Sequence, residues 1–238
     1  MHPTPPHAHP PSTAGVRLWG LIPCAGNGSR AGAAGPKQYQ VLAGQPLVLH
    51  TLAAFAAVPR LAGTLVVVSA GDRFFAERPV RAVPCGGATR AHSVANGLEA
   101  LLQNGAAPQD WVLVHDAARC LIMPAQINSL IDACLPDAVG GLLALPLPDT
   151  LKAGADGRVA ATLPRSDKWL AQTPQMFRIA ALQAALQQVG DAVTDESSAM
   201  EAQGLRPLLV EGSAQNFKVT YPQDFALAQS LLLARAAA

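Results

Sequence analysis

Short apolar runs alternate with helical spacings along most of the 238 residues, and this order restricts the fold more than any other feature. Arg17 to Pro23 predicts a first strand, and Pro46 to Val58 a helix opened by proline at its first turn. Thr64-Leu65-Val66-Val67-Val68 is continuous and β-branched, as in a strand covered on both faces. Between Arg90 and Leu102, Val94, Leu98 and Leu101 recur at helical spacing, with Ala91, Ala95 and Leu102 beside them. Trp111 to Val114 predicts another buried strand, Pro124 to Cys134 a helix, and Gly141 to Leu145 a further strand. The order β-α-β-α implies an α/β fold, a mostly parallel sheet with helices on both faces. The length suits one large α/β domain or two small ones. Half the residues are apolar and 14% are charged, so a full core can be buried.

The alternation breaks after Asp149. Thr150 to Leu163 contains Asp156-Gly157, a strong hairpin signal, flanked by residues too small to build a core of their own. An isolated hairpin is marginal in water. An arm at about 149–165 that packs on another subunit follows, with a solvated excursion as the alternative. Beyond it, helices are expected over Ile179 to Val189, Glu196 to Gln203 and Pro222 to Arg235, with a short strand from Asn216 to Thr220.

Residues 1–15 read as a tail, and residues 16–238 as the domain. Met1 to Pro11, MHPTPPHAHPP, lacks both the apolar segment of a signal peptide and the means to bury surface, so disorder is expected there. No apolar run is long enough to span a bilayer. A net charge of +1 gives no footprint for nucleic acid or an anionic membrane. Cys24, Cys85, Cys120 and Cys134 are widely spaced, which suggests neither a zinc site nor a disulfide framework and fits a reducing cytoplasm.

The first predicted strand runs into Pro23-Cys24-Ala25-Gly26-Asn27-Gly28-Ser29-Arg30, and Lys37 follows in Pro36-Lys37-Gln38-Tyr39. A strand that delivers a glycine-rich loop with two cations brings backbone N–H groups and positive charge to one point, which suits a nucleotide's phosphates. No Asp or Glu precedes Asp72, so the acidic partner that a dinucleotide fingerprint needs for its ribose is missing. Lys37 sits between proline and glutamine, so the loop is not a Walker-type P-loop either. The remaining alternative is a turn that merely links strand to helix.

Asp116, in Val114-His115-Asp116-Ala117-Ala118-Arg119, falls just past a buried strand, where open α/β sheets bind ligands. A lone carboxylate there suits Mg2+, which keeps several waters and shares its shell with substrate phosphates. A helix-capping role is the alternative for Asp116, and His115 is either a base or, more simply, a packed or hydrogen-bonded histidine. Arg119 could face an anion or pair with a carboxylate. In Cys85-Gly86-Gly87-Ala88-Thr89-Arg90-Ala91-His92-Ser93-Val94 a glycine turn leads into a helix, where backbone could approach a flat base and Ser93 could bond its edge. Lys218, alternating with apolar neighbours in Asn216-Phe217-Lys218-Val219-Thr220, is either an exposed strand lysine or, with Arg30, Lys37 and Arg165, part of a polyanion site.

In combination, P-x-A-G-x-G-x-R, P-K-Q-Y, G-G-x-x-R-x-x-S-V, V-H-D-A-A-R, D-T-x-K, Q-T-P-Q-x-F, T-D-E-x-S-A-x-E and N-x-K-V-T resemble, in this order from about Leu18 to about Leu231, the 2-C-methyl-D-erythritol 4-phosphate cytidylyltransferase family. The resemblance implies a Rossmann-like three-layer fold and a homodimer joined by extended β-hairpin arms. It implies a Mg2+-dependent nucleotidyltransferase, with other divalent cations possible, that moves CMP from CTP to methylerythritol phosphate and releases pyrophosphate in the non-mevalonate isoprenoid pathway. Arg30, Lys37, Arg165 and Lys218 take catalytic roles in this reading. Ala25, Gly26, Gly28, Gly87 and Ser93 fall in the nucleotide pocket with Arg30 and Lys37. Asp116 is the carboxylate on the metal and ribose side. Thr150 and Arg165 reach the acceptor from the partner's arm, and Arg119, Thr173 and Lys218 line the acceptor site.

The sequence departs from the family pattern at Cys24, at Ala88 beside the base pocket and at Cys120 after Arg119, and none of these removes a charged site position. A related enzyme acting on another polyol phosphate, such as ribitol 5-phosphate, and a catalytically dead nucleotide-binding protein are the competing readings. Joint retention of Arg30, Lys37, Asp116 and Lys218 opposes the latter.

Overall fold

The computed structural model describes residues 15–26, 35–190 and 193–237. Apart from Gly15, the expected tail lies outside the described residues, as do the loop positions Gly28 and Arg30. In chain order the strands are β1 (Leu18–Pro23), β2 (Val41–Leu42), β3 (Gln45–Pro46), β4 (Leu61–Val67), β5 (Arg81–Val83), β6 (Trp111–Val114), β7 (Gly140–Pro146), β8 (Leu151–Ala155), β9 (Arg158–Leu163), β10 (Trp169–Arg178) and β11 (Leu208–Glu211). The helices are α1 (Leu47–Ala56), α2 (Arg90–Gln103), α3 (Pro124–Cys134), α4 (Ile179–Val189), α5 (Glu196–Ala202) and α6 (Pro222–Ala236).

Seven strands form one sheet in the order β11-β7-β10-β6-β1-β4-β5. Every pairing is parallel except the two made by β10, which runs antiparallel between β7 and β6. Side chains alternate cleanly across it, as the two-residue period of a strand requires. Leu18, Ile22, Val66, Trp111 and Leu113 face one layer with Phe55 of α1 and Ile127, Leu130 and Ile131 of α3. Trp19, Leu21, Leu65, Val67, Val112 and Val114 face the other, against Val94 and Leu98 of α2, Leu182 and Leu186 of α4 and Met200 of α5. Three layers with both sheet faces covered explain why the inner strands read as unbroken apolar runs.

The expected strand from Asn216 to Thr220 is not one. Val219 N donates to Ala118 O at 2.9 Å, but no ladder forms around this bond. The segment is an extended tether instead: Val219 packs with Leu42, Leu47, Leu121 and Ala228 of α6, and this holds Lys218 beside the end of β6. β10 has no counterpart among the strands expected from the sequence, and it contains Pro174, which removes a ladder donor. The sheet accommodates it at a register shift between Ala171 and Gln175.

The hairpin forms where Asp156-Gly157 places it. Both turn residues have positive φ, 51° and 74°, the geometry that joins two strands by a tight two-residue turn. Among the described residues, β8 and β9 pair only with each other. Every residue of β9 is exposed, including Val159 and Leu163.

Candidate active site

After β1 the chain builds β4 and β5 to one side and then returns to place β6 on the other. The crevice between the carboxyl ends of β1 and β6 is therefore the topological switch point, where open α/β sheets bind ligands. A cavity of about 700 Å³ lies there. Among its lining residues are Ala25, Gly26, Lys37, Gly87, Ser93, Asp116 and Lys218, so seven of the expected site positions come together.

The loop after β1 is tied down by its carbonyls. Gln38 Nε2 donates to Cys24 O at 2.9 Å and to Gly26 O at 3.0 Å, and Ser69 Oγ donates to Ala25 O at 2.9 Å. A trans peptide sets its N–H opposite its C=O. The amide of Ala25 thus faces away from Gln38, and that of Gly26 away from Ser69. Tyr39 secures the short helical turn Lys37–Tyr39 by donating to Asp72 Oδ2 at 2.6 Å and stacking on Phe74. Lys37 Nζ donates to Val219 O at 2.5 Å, which brings the lysine to the tether that carries Lys218. Cys24 lines this wall as a buried thiol; burial pushes its pKa up to about 12, so it stays protonated.

At the opposite wall, Thr89 caps α2 by accepting from His92 N at 3.2 Å. Ser93 Oγ accepts from Gly87 N at 3.0 Å and donates to Thr89 O at 2.9 Å. Its proton is therefore used within the chain, and one lone pair remains to accept from a ligand. Gly86 is packed so tightly that a Cβ there would collide with the Ala25 side chain and the Val68 carbonyl.

Asp116 is the electrostatic centre. Its Oδ1 accepts from Arg90 Nε at 2.8 Å, its Oδ2 lies 2.8 Å from Lys218 Nζ, and Arg119 Nε is 3.8 Å from Oδ2. Burial alone would raise this carboxyl, but Arg90 and Lys218, with Arg119 behind them, outweigh it and hold it far below the usual carboxylate range. Arg119 spends Nη1 on Asn216 O at 2.7 Å and Nη2 on Ala171 O at 3.2 Å.

Thr173 lies behind Asp116, where its Oγ1 accepts from Asp116 N at 3.0 Å and pairs with His115 Nδ1 at 3.0 Å. His115 Nε2 faces Arg119 O at 3.2 Å. A carbonyl only accepts, so Nε2 carries the proton and Nδ1 accepts from Thr173. Burial pushes the imidazole down to about 4, against the pull of Asp116, so it is neutral at pH 7. This is the packed histidine among the alternatives.

Arg119 and Thr173, expected to line the acceptor site, touch Asp116 but do not line the cavity, and neither do Thr150 and Arg165. Thr150 and Arg165 flank the exposed hairpin, and the Arg165 guanidinium donates to the carbonyl of Pro148 at the arm's base. Gln38, Arg90 and Glu196 are functional positions that no expectation from the sequence includes. Gln38 and Arg90 line the cavity, and Glu196 binds Arg90 from behind. Their motifs were visible, but which residues touch was not.

Among known proteins, the family model described as 2-C-methyl-D-erythritol 4-phosphate cytidylyltransferase matches residues 18–234. A bifunctional enzyme IspD/IspF of Albidiferax ferrireducens is 69% identical over 95% of this chain, and this chain spans 55% of that enzyme's length. A 2-C-methyl-D-erythritol 4-phosphate cytidylyltransferase of Chromobacterium violaceum is 55% identical, over 90% of this chain and 97% of that one. The crystal structure of a 4-diphosphocytidyl-2C-methyl-D-erythritol synthase superposes with a TM-score of 0.81 at 42% identity, covering 91% of this chain and 98% of the other. A match this long, with the same fold and a cavity where that fold binds ligands, shows that the chain belongs to the 2-C-methyl-D-erythritol 4-phosphate cytidylyltransferase family.

Proposed function

We propose that this chain carries out its family's reaction in the cavity between β1 and β6. A phosphate oxygen of 2-C-methyl-D-erythritol 4-phosphate attacks the α-phosphorus of CTP. The bond to the β-phosphate breaks, giving 4-diphosphocytidyl-2-C-methyl-D-erythritol and pyrophosphate for isoprenoid biosynthesis. The observation that carries this reading is the meeting of Arg90 and Lys218 on Asp116 at the switch point, in a cavity that Lys37 also lines.

No protein nucleophile is needed. The acceptor phosphate is mostly dianionic at pH 7, since its second pKa is about 6. The barrier is the approach of two anions, and fixed cations lower it by positioning and by neutralising charge that builds at the leaving group. In this reading Lys37, with Arg30 of the loop, holds the triphosphate. Ala25, Gly26, Gly28, Gly87 and Ser93 hold the nucleotide. Lys218 and Arg119 face the acceptor, and Thr173 keeps Asp116 in place.

Mg2+ is part of the proposal. Among the described residues no group of three or more His, Cys, Asp or Glu is arranged to hold an ion. A single cavity carboxylate fits an ion that takes one protein ligand and fills its shell with water and substrate phosphates. Asp116 would hold it, and the bound ion would supply further charge neutralisation.

The arm belongs to the proposal as well. β8 and β9 leave Val159 and Leu163 exposed, and Arg165 stands outside the cavity of its own chain. A homodimer in which Thr150 and Arg165 complete the partner's acceptor site accounts for both. The unpaired thiols of Cys24, Cys85, Cys120 and Cys134 support a cytoplasmic setting, and among the described residues no helix is long and apolar enough to cross a membrane.

Pyrophosphate release with CTP and Mg2+, comparing methylerythritol phosphate with ribitol 5-phosphate, tests the reading. Turnover restricted to the methylerythritol acceptor is expected. Turnover with the ribitol acceptor in preference would overturn it.

A further inference from the structure

Glu196 is the first residue of α5, and it has no place in the chemistry described so far. It is nevertheless a carboxylate that is 1% exposed, and its location is engineered by several bonds. Asp195 caps the helix by accepting from Ser198 N at 3.0 Å. Gln175 of β10 joins the same turn at two points: its Nε2 donates to Asp195 Oδ2 at 2.9 Å, and its Oε1 accepts from Ser197 N at 2.7 Å. The turn is thus fastened to the strand that also carries Thr173.

From this anchored position Glu196 grips Arg90 with both oxygens, Nη1 to Oε1 at 2.7 Å and Nη2 to Oε2 at 3.0 Å. A paired fork of this kind fixes the guanidinium plane as well as its distance. Only Nε is then directed at Asp116, and it takes Oδ1 alone. Oδ2 is left to Lys218. Without Glu196, the Nη1–Nη2 edge of Arg90 could turn onto Asp116 and claim both oxygens, or swing toward an incoming triphosphate.

We propose that Glu196 is a positioning residue: by holding both terminal nitrogens of Arg90, it reserves one oxygen of Asp116 for Lys218 and for the substrates in the cavity. This rests on the proposed cytidylyl transfer as the reaction being positioned. The competing account is a strut in which the Glu196–Arg90 pair only joins α5 to α2. Removing a partner from a buried ion pair destabilises in either account, so melting temperature cannot separate them.

A double-mutant cycle on the full chain can. Glu196→Gln keeps the shape and removes the charge. We expect kcat for the methylerythritol acceptor to fall at least tenfold, while CTP affinity by calorimetry stays level or tightens, because Arg90 is released toward the triphosphate. In an Asp116→Asn background the same substitution should change kcat less than threefold, since groups acting as one unit are not additive. Glu196→Asp, which keeps the charge but draws the carboxylate back from the fork, should reproduce the pattern if Glu196→Gln does not fold. Equal losses in both backgrounds would overturn the proposal, and so would CTP affinity weakened more than threefold. The affinity measurement needs no turnover, so it stands even if the acceptor is a different polyol phosphate. A failure of the reaction itself shows separately, as absent pyrophosphate release by the unaltered chain.

Discussion

Lys218 and Asp116 meet at 2.8 Å although one lies on the tether into α6 and the other just past β6. The pair joins the middle of the chain to its C-terminal part at the wall of the cavity. It also keeps Asp116 ionised where burial would favour the neutral acid.

Asp116→Asn should therefore lower the rate by about 10²–10³ and raise the Mg2+ needed for half-maximal activity. The amide keeps the size but no longer balances Arg90 and Lys218, and preorganised charge of this kind is commonly worth such a factor. A Mg2+ titration of the purified variant checks this, and an unchanged midpoint would remove the carboxylate from the metal's shell.

His115 sets a pH limit on the fold. Its pKa is about 4 in the folded protein against 6.5 ordinarily, so the unfolded chain binds the proton more tightly. Stability from this group is complete above pH 6.5, declines as pH falls and is lost near pH 4. The shift corresponds to roughly 3 kcal/mol. Urea midpoints measured from pH 7 to pH 4 should fall in the parent chain and fall less in His115→Gln, which cannot gain that charge. Parallel profiles for the two proteins would show that another group controls the window.

Gln38→Met should loosen the nucleotide loop without emptying the core. The side chain keeps its length but loses the donor that holds two carbonyls, Cys24 O and Gly26 O. Two hydrogen bonds of ordinary net worth amount to about 1–3 kcal/mol, so CTP affinity should weaken by about tenfold or more while the far-UV circular dichroism stays unchanged. Calorimetry with CTP reads the effect directly.

Arg165→Ala should weaken use of the acceptor more than use of CTP, and Lys37→Ala should be nearly inactive. Mixing the two proteins tests the arm. If Lys37 serves its own chain and Arg165 the neighbour's, one site of each mixed dimer carries both lesions and the other carries none. Subunit exchange should then restore activity from two impaired parents. Verified heterodimers that recover nothing would place Arg165 in its own chain's site.

What could be read from the sequence follows the physics of each signal. Strands covered on both faces, such as β6, and helices with regular apolar spacing, such as α3, announced their extents because burial acts on every residue of the element. The Asp156-Gly157 hairpin was visible because its turn needs positive φ at two adjacent positions. β10 was hidden, since Pro174 argues locally against a strand that the sheet around it nevertheless completes. The segment around Lys218 was misread for the opposite reason, its alternation being satisfied by packing on α6 without a ladder. Asp116, Lys37 and Lys218 could be singled out by charge and setting. That Arg90 joins Asp116 to Glu196 could not, because this contact depends on how the first residues of α2 and α5 come together on one face of the sheet.

The close fit of Gly86 against Ala25 bears on how this pocket could be inhibited and how it could escape. A compound resting on that floor would meet mostly main chain, with little side chain to exchange. Gly87 is held in the same manner, since a Cβ there would run into His92. A mutation at Gly86 would have to displace the segment at Ala25, and one at Gly87 the start of α2, and both segments line the cavity. Resistance by substitution at this floor would thus carry its own loss of fitness, and a ligand confined to it would leave the enzyme few ways out.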